Sequence, residues 1–319
     1  MYRILNFLVI VSVINADVLP KSVLLNDGRR IPIISYGTLG KTQDLDLIKP
    51  AVIQAIESGY RQIDTAAAYE NEEQVGEAIA DVISRGIVTR EELWITTKLN
   101  LEVGTREGVL PALQASLKKL KLDYVDLYLI HSPENLVLVQ EYDYLNVWKG
   151  VEDVRRLNLT RSIGVSNFNI TDINRVLANS EMVPSVNEVE VNPTYTNSEI
   201  IAHCQSLNIT ILSYAPFGFM VPRPIDYNVT STFKDPVLVR IAQKYGKTTS
   251  QVVLRYLIDR KTIPIPRSTN TERIKLNIDL FDFRLSQEDI SSINELNKDV
   301  KVYNFDQEAL AILFDYYGL

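Results

Sequence analysis

The sequence predicts a single (β/α)8 TIM barrel, an α/β fold, with an N-terminal β-hairpin closing the bottom. Three observations carry that expectation. Eight short apolar runs recur singly along the chain, longer amphipathic stretches separate them, and no linker, internal repeat or low-complexity segment breaks the pattern. Strands that alternate one by one with helices imply a parallel sheet, and eight such units close most economically into a barrel. A doubly wound sheet alternates in the same way, but should show G-x-G-x-x-G after an early strand. The nearest run, Tyr36-Gly37-Thr38-Leu39-Gly40, has the wrong spacing.

Taken in order, the first segment is residues 1–16. Met1-Tyr2-Arg3 precedes an apolar run from Ile4 through Ile14, broken only by Asn6 and Ser12, and then Asn15-Ala16-Asp17. A basic start, a short apolar stretch and a small residue before a polar one have the layout of a secretory signal peptide. The run is short for a bilayer, so the expected mature chain, residues 17–319, is secreted and has no membrane span; the alternative is a retained N-terminal anchor or a buried strand. Asn26-Asp27-Gly28 then lies between two apolar runs, a hairpin signal because Asp-Gly tolerates the positive φ of a tight turn. Barrel strands are expected at residues 33–36, 62–64, 93–98, 125–130, 162–165, 186–191, 209–214 and 263–265. Between them, residues 72–84 place Val75, Ile79, Val82 and Ile83 on one helical face, with Asn71 as the cap before and Gly86 after. Residues 108–120 do the same with Leu110, Leu113, Leu117 and Leu120.

The 319 residues are 46% hydrophobic and 23% charged, ordinary values for a domain that builds its core without disulfides or metals. The net charge of -7 is spread along the chain with no basic block, which argues against nucleic acid as a partner. Cys204, the only cysteine, excludes an intramolecular disulfide and a multi-cysteine metal site, and reads as a small core residue on a helix. No metal is expected, and a monomer is. Sequons at Asn158, Asn169, Asn208 and Asn228 suit a secreted glycoprotein. Asn158 and Asn208 fall in turns ahead of strands, at the end opposite the chemistry; Asn169 and Asn228 fall nearer the mouth.

Polar residues sit where the apolar strands stop, the end that carries the active site in barrel enzymes. Asp64 ends the second strand, Lys98 the third, His131 the fourth, Ser166 and Asn167 the fifth, and Arg267 and Ser268 the eighth. Singly, Asp64 reads as a turn cap, Lys98 as a rim charge and His131 as a satisfied core histidine. Their shared placement at one end of the sheet is what points to a site.

The motifs resemble the aldo-keto reductase superfamily. They are Gly59-Tyr60-Arg61-Gln62-Ile63-Asp64-Thr65-Ala66 followed by Tyr69; Ile95-Thr96-Thr97-Lys98-Leu99; Asp126-Leu127-Tyr128-Leu129-Ile130-His131-Ser132-Pro133; Ser162-Ile163-Gly164-Val165-Ser166-Asn167-Phe168; and Ile265-Pro266-Arg267-Ser268. They run in register from about Leu25 to the end of the chain. The resemblance implies hydride transfer from the nicotinamide of NADPH to a small-molecule carbonyl, with Tyr69 as proton donor. Lys98 would make the phenol a better acid, Asp64 would hold the ammonium, and His131 would orient the carbonyl. Ser166 and Asn167 match residues that hold the carboxamide, Tyr214 matches the aromatic under the ring, and Gly37, Thr38 and Leu39 would approach it. Arg267, Ser268, Thr269, Arg273 and Asn277 match the clamp on the adenosine 2′-phosphate, with Arg267 where Lys is usual and Arg273 either stacking on the adenine or pairing with the phosphate.

Two departures from the family matter. Glu188 stands where Gln is usual, and an ionised Glu accepts from the carboxamide NH2 but cannot donate to its oxygen. Leu276 replaces a Glu that often meets the adenine. On the substrate wall, Asn100 and Ser132 replace bulkier residues, which predicts a wider, wetter pocket suited to a large polyhydroxylated ketone. With the leader, this resembles the secreted insect reductases of 3-dehydroecdysone. The alternatives are a small-aldehyde reductase, an enzyme working towards alcohol oxidation, and a catalytically silent NADPH-binding protein on the same barrel.

Overall fold

The computed structural model describes residues 21–318 apart from Asn135, Glu141, Pro224, residues 226–228, Thr230 and residues 305–306. The leader expected at residues 1–16 and the sequon at Asn228 lie outside the described residues.

Strands β1 (Ser22–Leu24) and β2 (Arg30–Pro32) form an antiparallel hairpin. Its turn is the Asp27-Gly28 pair, with Gly28 at φ 84°, the conformation that favours glycine. The hairpin plugs the barrel floor: Leu25 and Ile31 pack with Trp94, Leu127, Leu129, Val186, Leu212, Ile263 and Ile265 inside the strands.

The barrel strands are β3 (Tyr36–Gly37), β4 (Gln62–Asp64), β5 (Trp94–Lys98), β6 (Val125–Ile130), β7 (Thr160–Ser166), β8 (Val186–Glu190), β9 (Thr210–Tyr214) and β10 (Thr262–Pro264). All are parallel, and each pairs with its neighbours in chain order. Seven of the eight lie where the apolar runs place them, within two residues. The first differs, being two residues long against an expected 33–36. Its seam with β10 explains why. Ser35 and Gly37 donate their amides to the Pro264 and Pro266 carbonyls, each at 3.0 Å. The return bonds of a parallel ladder need N–H groups on those prolines, and proline has none. The barrel therefore closes through a one-way seam.

Around the strands run α1 (Leu45–Glu57), α2 (Glu72–Ser84), α3 (Arg106–Leu120), α4 (Tyr144–Arg156), α5 (Ile170–Asn179), α6 (Ser198–Ser206), α7 (Pro236–Tyr245) and α8 (Thr249–Asp259). After β10 come α9 (Thr271–Ile278), α10 (Gln287–Asn294) and α11 (Gln307–Tyr317). The helical faces read from the sequence are the buried ones: Val75, Ile79 and Val82 on α2, and Leu113, Leu117 and Leu120 on α3. These two helices meet closely at Gly76, where a Cβ would lie 2.5 Å from the Lys119 carbonyl oxygen. Cys204 is fully buried on α6, and burial pushes its thiol up to about 11. Alternate strand residues, such as Ile63 and Ile95, face the helices. Their neighbours Asp64, Thr96 and Lys98 thereby turn inward, which brings the chemistry to the axis.

Candidate active site

The strand ends open into a cleft of about 710 Å³. Lys98, at the end of β5, is fully buried beneath it. Its ammonium donates to Asp64 Oδ1 at 2.6 Å, the Thr65 carbonyl at 3.1 Å and Tyr69 Oη at 3.2 Å, and Glu188 Oε1 also stands 3.2 Å away. Four oxygens thus share three protons. Burial alone would lower the Lys98 pKa, but the charges of Asp64 and Glu188 outweigh it and hold the group well above its ordinary value. The ammonium is permanent, and it is fixed by two strand-borne carboxyl groups.

Tyr69 lies on a 3-10 turn (Ala67–Tyr69) after β4, which lifts its ring over Lys98. Burial pushes its phenol above the ordinary range; the Lys98 ammonium pulls it back, and the carboxyl charges of Asp64 and Glu188 oppose the lysine. His131 follows β6 and meets the Tyr69 ring edge to face, 5.7 Å between centroids. Burial and the nearby Lys98 push its pKa down to about 3, so the imidazole is neutral at physiological pH. A neutral ring donates from one nitrogen without adding a second cation beside Lys98.

Asp64, Tyr69, Lys98 and His131 are therefore gathered as expected, from three separate parts of the chain. The carboxamide residues are gathered too. Ser166 Oγ donates to the Glu188 carbonyl at 2.9 Å. Asn167, in the left-handed region at φ 65°, donates to the His131 carbonyl at 3.0 Å and accepts from the Tyr214 hydroxyl at 2.7 Å. Gly37, Thr38 and Leu39 line the facing wall, and a Cβ at Gly37 would stand 3.0 Å from Ile265 Cγ2.

Glu188 departs from a freely ionised carboxylate. Burial and the adjacent Asp64 charge push its pKa up to about 8 despite Lys98. Its charged form is thereby disfavoured, and with a proton on it Glu188 would retain a donor like the Gln it replaces.

At the other end of the cleft, Arg267 follows β10, and Ser268, Thr269 and Arg273 line the same wall. Arg267 Nε and Nη2 are buried with no hydrogen-bond partner among the described residues, and Asp44 is a distant 3.9 Å from the guanidinium. Buried, unused donors facing a cleft fit an anionic group such as a phosphate. Arg273 Nε is held by Ser268 Oγ at 3.2 Å, and Asn270 caps the helix start through the Arg273 amide at 3.0 Å. Asn277 is buried on α9 but does not line the cleft, while Leu276 is partly exposed.

The two expected substrate residues are not brought to the cleft. Ser132 is buried; its Oγ accepts from the Glu134 amide at 3.0 Å and its carbonyl from the Tyr142 hydroxyl. Asn100 likewise turns to its own loop, accepting from the Glu102 amide at 3.3 Å. Small polar side chains in turns satisfy the local backbone first. The wall is instead aromatic, from Phe217, Phe233, Tyr303, Tyr316 and Tyr317. The sequence reading missed these, although the tyrosine-rich last 17 residues were a signal. Glu190 pins that segment, accepting from the Val302 amide at 2.7 Å and the Tyr303 amide at 3.0 Å. Asn71 was also missed as a site residue. It makes no side-chain cap bond; its amide donates to the Thr38 carbonyl at 2.9 Å and accepts from Thr65 Oγ1 at 2.8 Å, tying two loops of the site together.

Comparison with known proteins agrees with this geometry. Residues 34–298 match the aldo/keto reductase family model. The chain is 51% identical to the aldo-keto reductase AKR2E4 of Bombyx mori over 293 residues, 88% of this chain and 93% of that protein. It is 37% identical to prostaglandin F synthase 1 of Bos taurus over 312 residues, 90% and 95% of the two chains. The crystal structure of Bombyx mori AKR2E4 in complex with NADP superposes with a TM-score of 0.85 at 50% identity, covering 89% of this chain and 94% of that one. That of the silkworm AKR2E5 complexed with NADPH gives 0.85 at 36% identity, covering 89% of each. With its strand-end tetrad, its basic cleft end and these likenesses together, the chain belongs to the aldo/keto reductase family.

Proposed function

We propose that the chain is an NADPH-dependent carbonyl reductase that protonates its substrate from Tyr69. One observation carries this reading: a buried ammonium 3.2 Å from a phenol and 2.6 Å from a carboxylate, beside a neutral imidazole at the cleft. The cofactor, when bound, supplies the hydride. The chain's residues do the rest. Lys98 stabilises the phenolate left when Tyr69 gives up its proton. Asp64 keeps the ammonium in place, and His131 donates to the carbonyl oxygen as it becomes negative. Ser166, Asn167 and Glu188 would hold the carboxamide, Tyr214 would lie under the ring, and Arg267 and Arg273 would grip the 2′-phosphate. The relatives crystallised with NADP and NADPH support that choice of nucleotide.

For the substrate, an ecdysteroid 3-ketone is proposed. Support comes from walls that combine flat aromatic faces with the Tyr303 and Tyr317 hydroxyls, suited to a fused-ring ketone bearing hydroxyls. The leader supports secretion, and the exposed Asn158, Asn169 and Asn208 are open to glycans. N-terminal sequencing of protein from its natural fluid should start at or near Asp17; an intact Met1 would refute cleavage.

NADPH consumption with 3-dehydroecdysone, sugars and aromatic aldehydes tests the activity and its substrate. Tyr69→Phe should still bind NADPH while turnover falls by about two orders of magnitude or more. Unchanged turnover removes Tyr69 from its role, and preference for small aldehydes removes the ecdysteroid.

A further inference from the structure

Resting on the reductase reading above, we propose that Glu188 is a positioning residue, a second counter-ion to Lys98 whose protonation governs how firmly the ammonium serves Tyr69. The geometry carries it. Glu188 Oε1 and Tyr69 Oη lie at the same distance from Lys98 Nζ, 3.2 Å, while Asp64 and the Thr65 carbonyl take the two closer places. With three protons on the ammonium, the third goes to the phenol or to the carboxylate. Ionised Glu188 wins that competition, since a charged acceptor bonds more strongly than a neutral hydroxyl. Protonated Glu188 leaves the third proton to Tyr69.

Charge balance acts in the same direction. The side chains are shut from water, with Lys98 at 1%, Glu188 at 2% and Asp64 at 4% exposure. Asp64 Oδ2 and Glu188 Oε2 accept from no donor elsewhere among the described residues, and the two carboxyls are close enough to share a proton, so a second negative charge there is opposed and not offset. One carboxylate against one ammonium is neutral. Two leave a net charge of -1 beneath a phenol that must become negative. The titratable groups that face Glu188 are Asp64 from β4, Tyr69 from its turn, Lys98 from β5 and Tyr214 from β9. Among these Lys98 alone is cationic, and Asp64 has already claimed it.

Glutamine is the natural control, because it keeps the shape and a donor while removing the titration. The test is single-turnover reduction with NADPH across pH 6–10 for wild type and Glu188→Gln. In wild type, the rate should fall through one ionisation near pH 8 to a plateau about tenfold lower. Glu188→Gln should lack that step: whatever its absolute rate, its profile should stay flat through pH 7–9 where the wild-type profile falls. Thermal melting of the cofactor-free proteins supplies a second readout. The folded carboxyl keeps its proton to about pH 8, whereas the unfolded one releases it near 4.5. Wild-type stability should therefore fall relative to Glu188→Gln between those values and level off above them.

Superimposable kinetic profiles for the two proteins overturn the proposal, whatever the melting shows. So does a wild-type profile with no step between pH 7 and 9, a result that needs no folded variant. Absence of reduction at every pH would instead strike the reductase reading itself, and is told apart by Tyr69→Phe and nucleotide binding.

Discussion

Lys98 shows how much one buried side chain organises. Its ammonium lies within hydrogen-bond distance of Asp64, Tyr69, Glu188 and the Thr65 backbone, so its removal strands two carboxyl groups without a cation. Lys98→Met should lower turnover by about two orders of magnitude or more and leave NADPH affinity near wild type, measured by single-turnover kinetics and fluorescence titration. It should also cost about 3–5 kcal/mol of stability at pH 8 by urea unfolding, and less at pH 5, where Glu188 is protonated. Retained stability at pH 8 would show that the cluster is not closed to water. His131 offers a test of opposite sign. Its folded pKa lies near 3, below the ordinary 6.5. Between these values the unfolded chain binds a proton that the folded chain refuses, so its contribution holds above 6.5 and is lost as pH falls towards 3. Ring nitrogen shifts of His131 should stay flat from pH 8 to 5; an inflection near 6.5 would contradict a dry, neutral ring.

At the scale of elements, what matters is how strand ends are tied to the loops above them. The start of α2 does this through Asn71, which links the Thr38 and Thr65 loops over β3 and β4. Asn71→Ala leaves the Thr38 carbonyl and the Thr65 hydroxyl short of a partner, which should cost about 1–3 kcal/mol. KM for NADPH should rise with it, because Thr38 lines the cleft while Asn71 does not. A loss of stability with an unmoved KM would confine Asn71 to the fold. The sequence showed Asn71 as a helix-start residue, which it is, but its side chain serves partners 33 and 6 residues away. Local pattern identifies the residue type at a helix start and not which competing acceptor or donor it takes.

For the molecule as a whole, the barrel needs both ends made good. The floor is sealed by the hairpin, and Ile31 within it is fully buried. Ile31→Ala should cost about 2–5 kcal/mol in urea unfolding, with kcat little changed because the cavity opens at the end far from Lys98. A cost below about 1 kcal/mol would mean that the hairpin merely rests on the floor. The mouth is shaped by the segment after α10, held by Glu190 and carrying Tyr303 and Tyr317, whose hydroxyls are 2.6 Å apart. Among the described residues no helix is long and apolar enough to cross a membrane.

Eight strands, their order and the polar residues at the ends of five of them were legible in the sequence, because periodicity and strand ends are local properties of a few neighbouring side chains. So was the family, from motifs that are contiguous. The tertiary structure alone decided the raised pKa of Glu188, the one-way seam at Pro264 and Pro266, the retreat of Asn100 and Ser132, and the aromatic wall drawn from Phe217, Phe233 and the C-terminal tyrosines. The shift of Glu188, the seam and the aromatic wall depend on groups far apart in the chain meeting in one place, where charge, hydrogen bonding and volume are settled jointly, while Asn100 and Ser132 turn to backbone amides two residues on.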